Sequence, residues 1–485
     1  MTKEDQTALS IKTKVFYGSG AIAEAAIHIT FNTFNFLFYN NVLGLSGTLA
    51  GLALTIAVVF DAISDPIVGS LSDRWKSKLG RRHPFLYLSA VPLGVCFVAL
   101  YVPPQAFGEL GLFLWFTIFT IGLRVSLTFY HVPHLALGAE LSDDYRERSI
   151  VYAYNSILSM VGGSTAYFLA WTYLGQAEGG ISNVDNFLPI GLAVGVLAVI
   201  LIWLSAHFTR DQIPKLKQVD DSVGRFSLRQ LGYEVLDCFH NKNYVWLVLG
   251  LLCLSATNGI REAMNAYIGL FFWELDPNQL RFFGLATPLA FVVAFFATPY
   301  LNDKFDKVGT MIGGLTVLII FQLFPPVLRL LGVLPENGHP LIFPMLLTSI
   351  AIIYGAGAIL NISVMSALAD VADEHELNTG RRQEGIFYSA RTFVGKATGA
   401  FGLLIGGIAI DIIGWPRGVE SADQVDAQVI WNLGLIEGPI AIIPSLFAIF
   451  FYGRYRISKK RHAEIRLELE QRRRVEEASE ALMSE

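Results

Sequence analysis

Residues 58–82 read VVFDAISDPIVGSLSDRWKSKLGRR. The first part is apolar apart from Asp61 and Asp65, and the second is a short loop dense in Lys and Arg. Acids four residues apart share one face of a helix. Inside an apolar helix two such carboxylates repel, and each is costly without a cation, a proton or a basic partner. The surrounding chain argues that this helix lies in a membrane. Of 485 residues, 53% are hydrophobic and 16% charged, and the mean hydropathy is +0.48. A soluble domain carries roughly 25% charged residues.

A spanning helix takes ~20 mostly apolar residues. Twelve such segments occur, at 15–41, 48–72, 84–103, 110–138, 149–174, 187–208, 244–273, 281–302, 308–330, 341–369, 385–413 and 428–453. They lack the period-two alternation of a membrane barrel. The expected fold is an all-α membrane protein of twelve transmembrane helices, in two pseudo-symmetric six-helix halves. Basic residues set its orientation. With the N-terminus inside, cytoplasmic segments hold 29 Lys and Arg, outer loops hold 3, and 4 fall within helices. The expected order is a cytoplasmic N-terminus (1–14), a first half (15–208), a cytoplasmic linker (209–243), a second half (244–453) and a charged cytoplasmic tail (454–485). The tail reads as a solvated helix, with partner binding as its alternative. The bacterial inner (plasma) membrane is the expected location.

A net charge of −5 gives no footprint for nucleic acid. Cys96, Cys238 and Cys253 cannot make a disulfide framework. The chain has no H-E-x-x-H, C-x-x-C, G-x-S-x-G or P-loop, so neither an enzyme nor an ATP-driven pump is expected, and no cofactor. An internal repeat points elsewhere. The loop GSLSDRWKSKLGRR (69–82) is echoed by YLNDKFDKVG (300–309), and AELSDDYRER (139–148) by LADVADEHELNTGRR (368–382). Duplicated halves around a central cavity are a transporter architecture.

The loop 69–82 resembles the signature loop of the major facilitator superfamily. DAISDP (61–66), VPHLALGAEL (132–141) and DEHELNTGRRQEGIFY (373–388) resemble the glycoside–pentoside–hexuronide:cation symporters, the melibiose-permease-like branch. The likeness runs from Tyr17 to about Gly407. It implies alternating access, with Asp61 and Asp65 binding the coupling ion (H+, or a Na+ held by the two acids). It implies Thr128 beside that ion and Lys396 on helix eleven as the counter-charge. Ser64 stands where some sodium-using relatives carry an amide, which with His131 favours H+. The sugar-binding acids of helices one and four and the arginine of helix five are replaced here by Ala25, His131 and Asn155.

Polar groups nearby are candidates to compensate: Glu24 and His28 on helix one, Arg124 and His131 on helix four, and Tyr388. Arg261 and Glu262 on helix seven read as a packing or gate pair, and Asn361 and Asn432 as interhelical hydrogen bonders. Asp73, Arg74, Arg82, Arg146, Arg148, Asp373, Arg381 and Arg382 read as cytoplasmic gating contacts that latch helices in an outward-facing state. The expected activity is cation-coupled symport of a sugar or glycoside by a monomer in the bilayer. A carrier of an amphipathic, lysolipid-like solute is one alternative, and a non-transporting receptor or scaffold is another.

Overall fold

The computed structural model describes residues 9–216, 236–381 and 384–483. The described residues form helices and no strand. Twelve membrane-length elements follow one another. They are α1 (Ile11–Leu37), α2 (Gly47–Arg74), α3 (His83–Ala99), α4 (Glu109–Glu140), α5 (Tyr145–Gln176) and α6 (Phe187–Phe208), then α7 (Lys242–Phe272). Phe283–Leu330 is one run broken at Asp306, where φ is 61°. Its limbs 283–305 and 307–330 are α8 and α9. Next come α10 (Ile342–Thr379), α11 (Glu384–Ile412) and α12 (Ala427–Tyr452), and the tail helix α13 (Lys459–Met483).

Local chemistry sets the helix starts. Ser10, Ser46, Asp144 and Asn241 each accept a hydrogen bond from a backbone N–H in the first turn of α1, α2, α5 and α7. Such caps satisfy donors that the helix itself leaves orphaned. Where 303–307 reads as a loop between two helices, the structure turns within a residue. Asp306 takes φ 61° with ψ 165°, a backbone region that residues with a Cβ rarely enter, and its carboxylate accepts from Lys307 N at 2.6 Å.

Helix order puts the start of α1 and the end of α12 on one face, the terminal face; the opposite face is the far face. Apolar side chains point outward in stripes: on α8, Leu289, Val293 and Phe296 are exposed. Such a surface suits lipid rather than water. Neither α1 nor α5 is among the long strongly apolar helices, because both spend polar residues on an internal cavity. The repeat is visible in the backbone. After α1, Leu43 N donates to Phe38 O and Leu45 N to Tyr39 O; after α7, Trp273 N donates to Ile268 O and Leu275 N to Gly269 O. Each pair closes a five-residue π-helical turn.

The tail is not a free solvated helix. Ile465 and Leu469 are buried in the apolar core of the second half. Polar contacts surround them: His462 to Asp370 and Asp373, Lys459 to Asp303, and Arg473 to Glu376. The hydrogen bond that Lys459 donates to Asp303 raises the ammonium above its ordinary pKa. Burial of the two aliphatic side chains contributes about 1.5–3 kcal/mol each. The exposed pairs add little, because solvent and salt screen them. Part of the 209–243 linker and Arg382 lie outside the described residues.

Candidate functional site

The two aspartates of α2 meet α11 where the halves cross. Lys396 Nζ donates to Asp61 Oδ2 at 2.8 Å and to Asp65 Oδ2 at 2.6 Å. Thr128 Oγ1 on α4 lies 3.0 Å from the Oδ1 of each acid. Ser64 Oγ lies 3.0 Å from the Asp61 carbonyl and 3.1 Å from Thr128 Oγ1. Two carboxylates and two hydroxyls thus converge beside one ammonium. Oxygen donors of this kind suit a hard cation, and the carboxylates suit a proton. The four residues named from the resemblance come together as one cluster. Arg124 joins it, with Nη1 3.9 Å from Asp61 Oδ2 and its guanidinium over the Phe31 ring.

A cavity of about 770 Å³ lies between the halves. Glu24, His28, His131 and Asn155 line it on the first-half side. His131 Nδ1 stands 2.6 Å from Glu24 Oε1, and His28 Nε2 stands 3.9 Å from the same oxygen. Asn155 is held by His134, whose Nε2 is 3.0 Å from its Oδ1. The second-half wall carries Arg261, Glu262, Asn265, Gln322, Tyr354 and Glu437, among others. Trp171 and Trp273 supply aromatic surface.

Several expectations are placed differently. Arg124 is not in this wall; it lines a small adjoining recess with Glu262. Tyr388 is also outside the wall, and its hydroxyl donates to Met365 O at 3.1 Å. Arg261 does not pair with Glu262. Adjacent helix residues point about 100° apart, and Arg261 reaches instead to the Glu437 carboxylate and to its carbonyl oxygen, the latter at 2.8 Å. Asn361 does bond between helices, accepting from Arg391 at 3.0 Å. Asn432 bonds within its own helix, to Gln428.

At the terminal face, Arg82 is buried and holds Asp73, Ser72 and Glu140. Arg81 also pairs with Glu140. Arg148 donates to Ser142 O, and Asp373 meets His462. Arg74 is half-buried; Arg146 is exposed. Arg381 is exposed too, with its N–H on Thr379 Oγ1. Lys307 and Asp370, 2.6 Å apart, repeat the Arg82–Glu140 pairing in the second half. All these contacts are within one half.

Besides the Lys396 bridge and the hydrogen bond from Thr55 to Ala400 O at the crossing, contacts between halves gather at the far face. Asp411, near the end of α11, accepts from Gly47 N at 2.8 Å and Thr48 N at 2.7 Å. It therefore caps α2 from the other half, where orphan N–H groups and the helix dipole favour an anion. Asn41 donates to Val419 O, Tyr267 to Asn40 Oδ1, and Ser164 to Gly284 O. Glu140, Asp411 and Glu437 do not stand out in the sequence as site residues. An acid in a long apolar stretch, as at Glu437, was the available signal.

The family described as MFS/sugar transport protein matches residues 16–459. An uncharacterized symporter of Bacillus subtilis, YnaJ, is 25% identical, with 98% of each chain covered. The isoprimeverose transporter of Lactiplantibacillus pentosus is 22% identical, covering 92% of this chain and 90% of its own. A glucuronide carrier protein homolog of Escherichia coli is 24% identical, covering 97% of each. Among solved structures, the inward-open xylose transporter XylE of Escherichia coli superposes with a TM-score of 0.62 at 15% identity, over 92% of this chain and 96% of its own. With the fold, the repeat and the match to nearly its whole length in agreement, the chain belongs to the MFS/sugar transport protein family and is a membrane transporter, not an enzyme.

Proposed function

We propose that this transporter is a symporter that couples entry of a cation to uptake of a sugar or glycoside by alternating access. The observation that carries the reading is the bridge from Lys396 on α11 to Asp61 and Asp65 on α2, beside the cavity. The ammonium occupies the position that a coupling ion would contest. A proton or Na+ arriving at the acids loosens Lys396 from one carboxylate, and so changes how tightly α2 and α11 hold together. Thr128 orients the acids. Glu24, His28, His131 and Asn155 offer the solute hydrogen-bonding groups. The names of the isoprimeverose transporter and the glucuronide carrier homolog support a carbohydrate. The terminal face is cytoplasmic on the charge distribution, so the pinned far face makes this the inward-facing state.

The test is uptake into proteoliposomes. Asp61→Asn and Asp65→Asn each abolish gradient-driven accumulation while solute exchange persists; full accumulation by both variants refutes the assignment. Comparing uptake with and without Na+ at fixed pH identifies the ion.

A further inference from the structure

The charges in the membrane interior do not balance. At the crossing of α2 and α11, Asp61 and Asp65 face Lys396 and Arg124, two acids against two bases. The cavity wall adds Glu24, Glu262 and Glu437 but only one guanidinium, Arg261. That guanidinium is already committed to Glu437. Arg391 stands off the wall, against Asn361. The wall's own surplus is two carboxylates on opposite sides, Glu24 on α1 and Glu262 on α7; Glu262 shares its recess with Arg124, which already engages Asp61 in the cluster with Asp65 and Lys396. The wall also carries the phenols of Tyr167 and Tyr354 and two imidazoles, His28 and His131, both clustered at Glu24. A proton on His131 offsets one of the two and still leaves the wall negative.

We infer that the cavity rejects anionic solutes and takes a polyhydroxylated solute that is neutral or bears an amine. The inference rests on the symporter reading and narrows its substrate class. A narrow chamber with low-dielectric walls focuses the field of its charges, and a surplus of one sign changes local ion concentration by roughly tenfold or more. Carboxylates also accept from hydroxyl and ammonium donors but repel a second carboxylate. The Glu437 Oε2 oxygen has no hydrogen-bond partner among the described residues, so the second-half wall adds acceptor capacity and no free donor charge. The solute expelled by this arrangement is a sugar acid; the solute admitted is its parent sugar or amino sugar.

The first measurement needs no knowledge of the solute. Cys96, Cys238 and Cys253 are replaced by alanine, and Ser159→Cys places one thiol in the cavity wall. Its reaction rates are measured with methanethiosulfonates carrying a trimethylammonium or a sulfonate group. The rate ratio is normalised to an exposed cysteine on the same protein. The expected ratio favours the cationic reagent by about tenfold, and Glu262→Gln lowers it. A normalised ratio at or below one overturns the inference. The second measurement compares binding of methyl glucoside, methyl glucuronide and glucosamine to the detergent-purified full chain. The glucuronide is expected to bind at least tenfold more weakly than the other two; equal or tighter binding overturns the inference. Failure of all three sugars to bind counts against the carbohydrate reading, and the thiol ratio still decides the charge selection.

Discussion

Gly407→Ala is the sharpest test of the far-face closure. A Cβ at Gly407 would overlap the Gly47 carbonyl oxygen and lie 2.8 Å from its carbon, across the α2–α11 contact. Ordinary van der Waals contact begins at 3.4 Å, so the helices must part by at least about 0.6 Å, and neither partner atom is a side chain that could swing away. Overpacking of this kind costs about 1–3 kcal/mol. Alanine also raises helix propensity by up to ~1 kcal/mol, but equally in both conformations, so only the clash is differential. At 1.4 kcal/mol per tenfold, the far-face-closed state loses roughly 5- to 150-fold in population against the open one. The assay is electron–electron spin distance measurement in nanodiscs between labels at Phe107→Cys and Leu331→Cys, which are exposed in far-face loops of opposite halves. The variant should move the distribution to longer distance at unchanged melting temperature. Gly51→Ala, whose Cβ would meet Leu403 O and the Leu404 Cα at 2.9 Å, should do the same to a lesser degree. An unchanged distribution in both folded variants refutes the closure argument.

Three further outcomes follow from the contacts described. Glu140→Ala removes the buried acid that Arg81 and Arg82 share and leaves Arg82 with Asp73 and Ser72, and should lower stability by about 1–3 kcal/mol, read as a fall in melting temperature; the Arg82→Ala, Glu140→Ala double variant should recover part of that loss. Asp411→Asn removes the charge and one of the two acceptors, since an amide NH2 cannot accept from Gly47 N or Thr48 N, and should weaken far-face closure by about 1–3 kcal/mol, seen as a partial shift in the same spin distances. Ile465→Ala with Leu469→Ala removes the buried anchors of α13 and should release it to proteolysis near 459–483 without loss of the twelve-helix core; continued protection would refute the docking.

The helices were legible because lipid imposes one strict rule. A backbone in hydrocarbon must satisfy its own hydrogen bonds, so a long apolar run is a helix. Segment 187–208 matches α6 to the residue, and others differ by a few residues where caps extend them. Asp61, Asp65 and Lys396 stand out in the sequence for a related reason: a charge inside an apolar run is costly unless a partner meets it. Other pairings were less visible. Arg261 lies next to Glu262 in sequence yet reaches Glu437, 176 residues away. The tail pattern, with sparse aliphatics among charges, gave no sign of which surface would bury Ile465 and Leu469.

The sequence alone determined what the bilayer enforces: helix number, the repeat, the basic loops and the few charges left inside. The tertiary structure decided which of those charges meet. It closed Asp411 onto α2, set Glu24 against His131, and left the cavity wall with three carboxylates against one guanidinium. Pairing depends on where helix faces come to lie across the two halves, and spacing along one helix reports only neighbours on that helix.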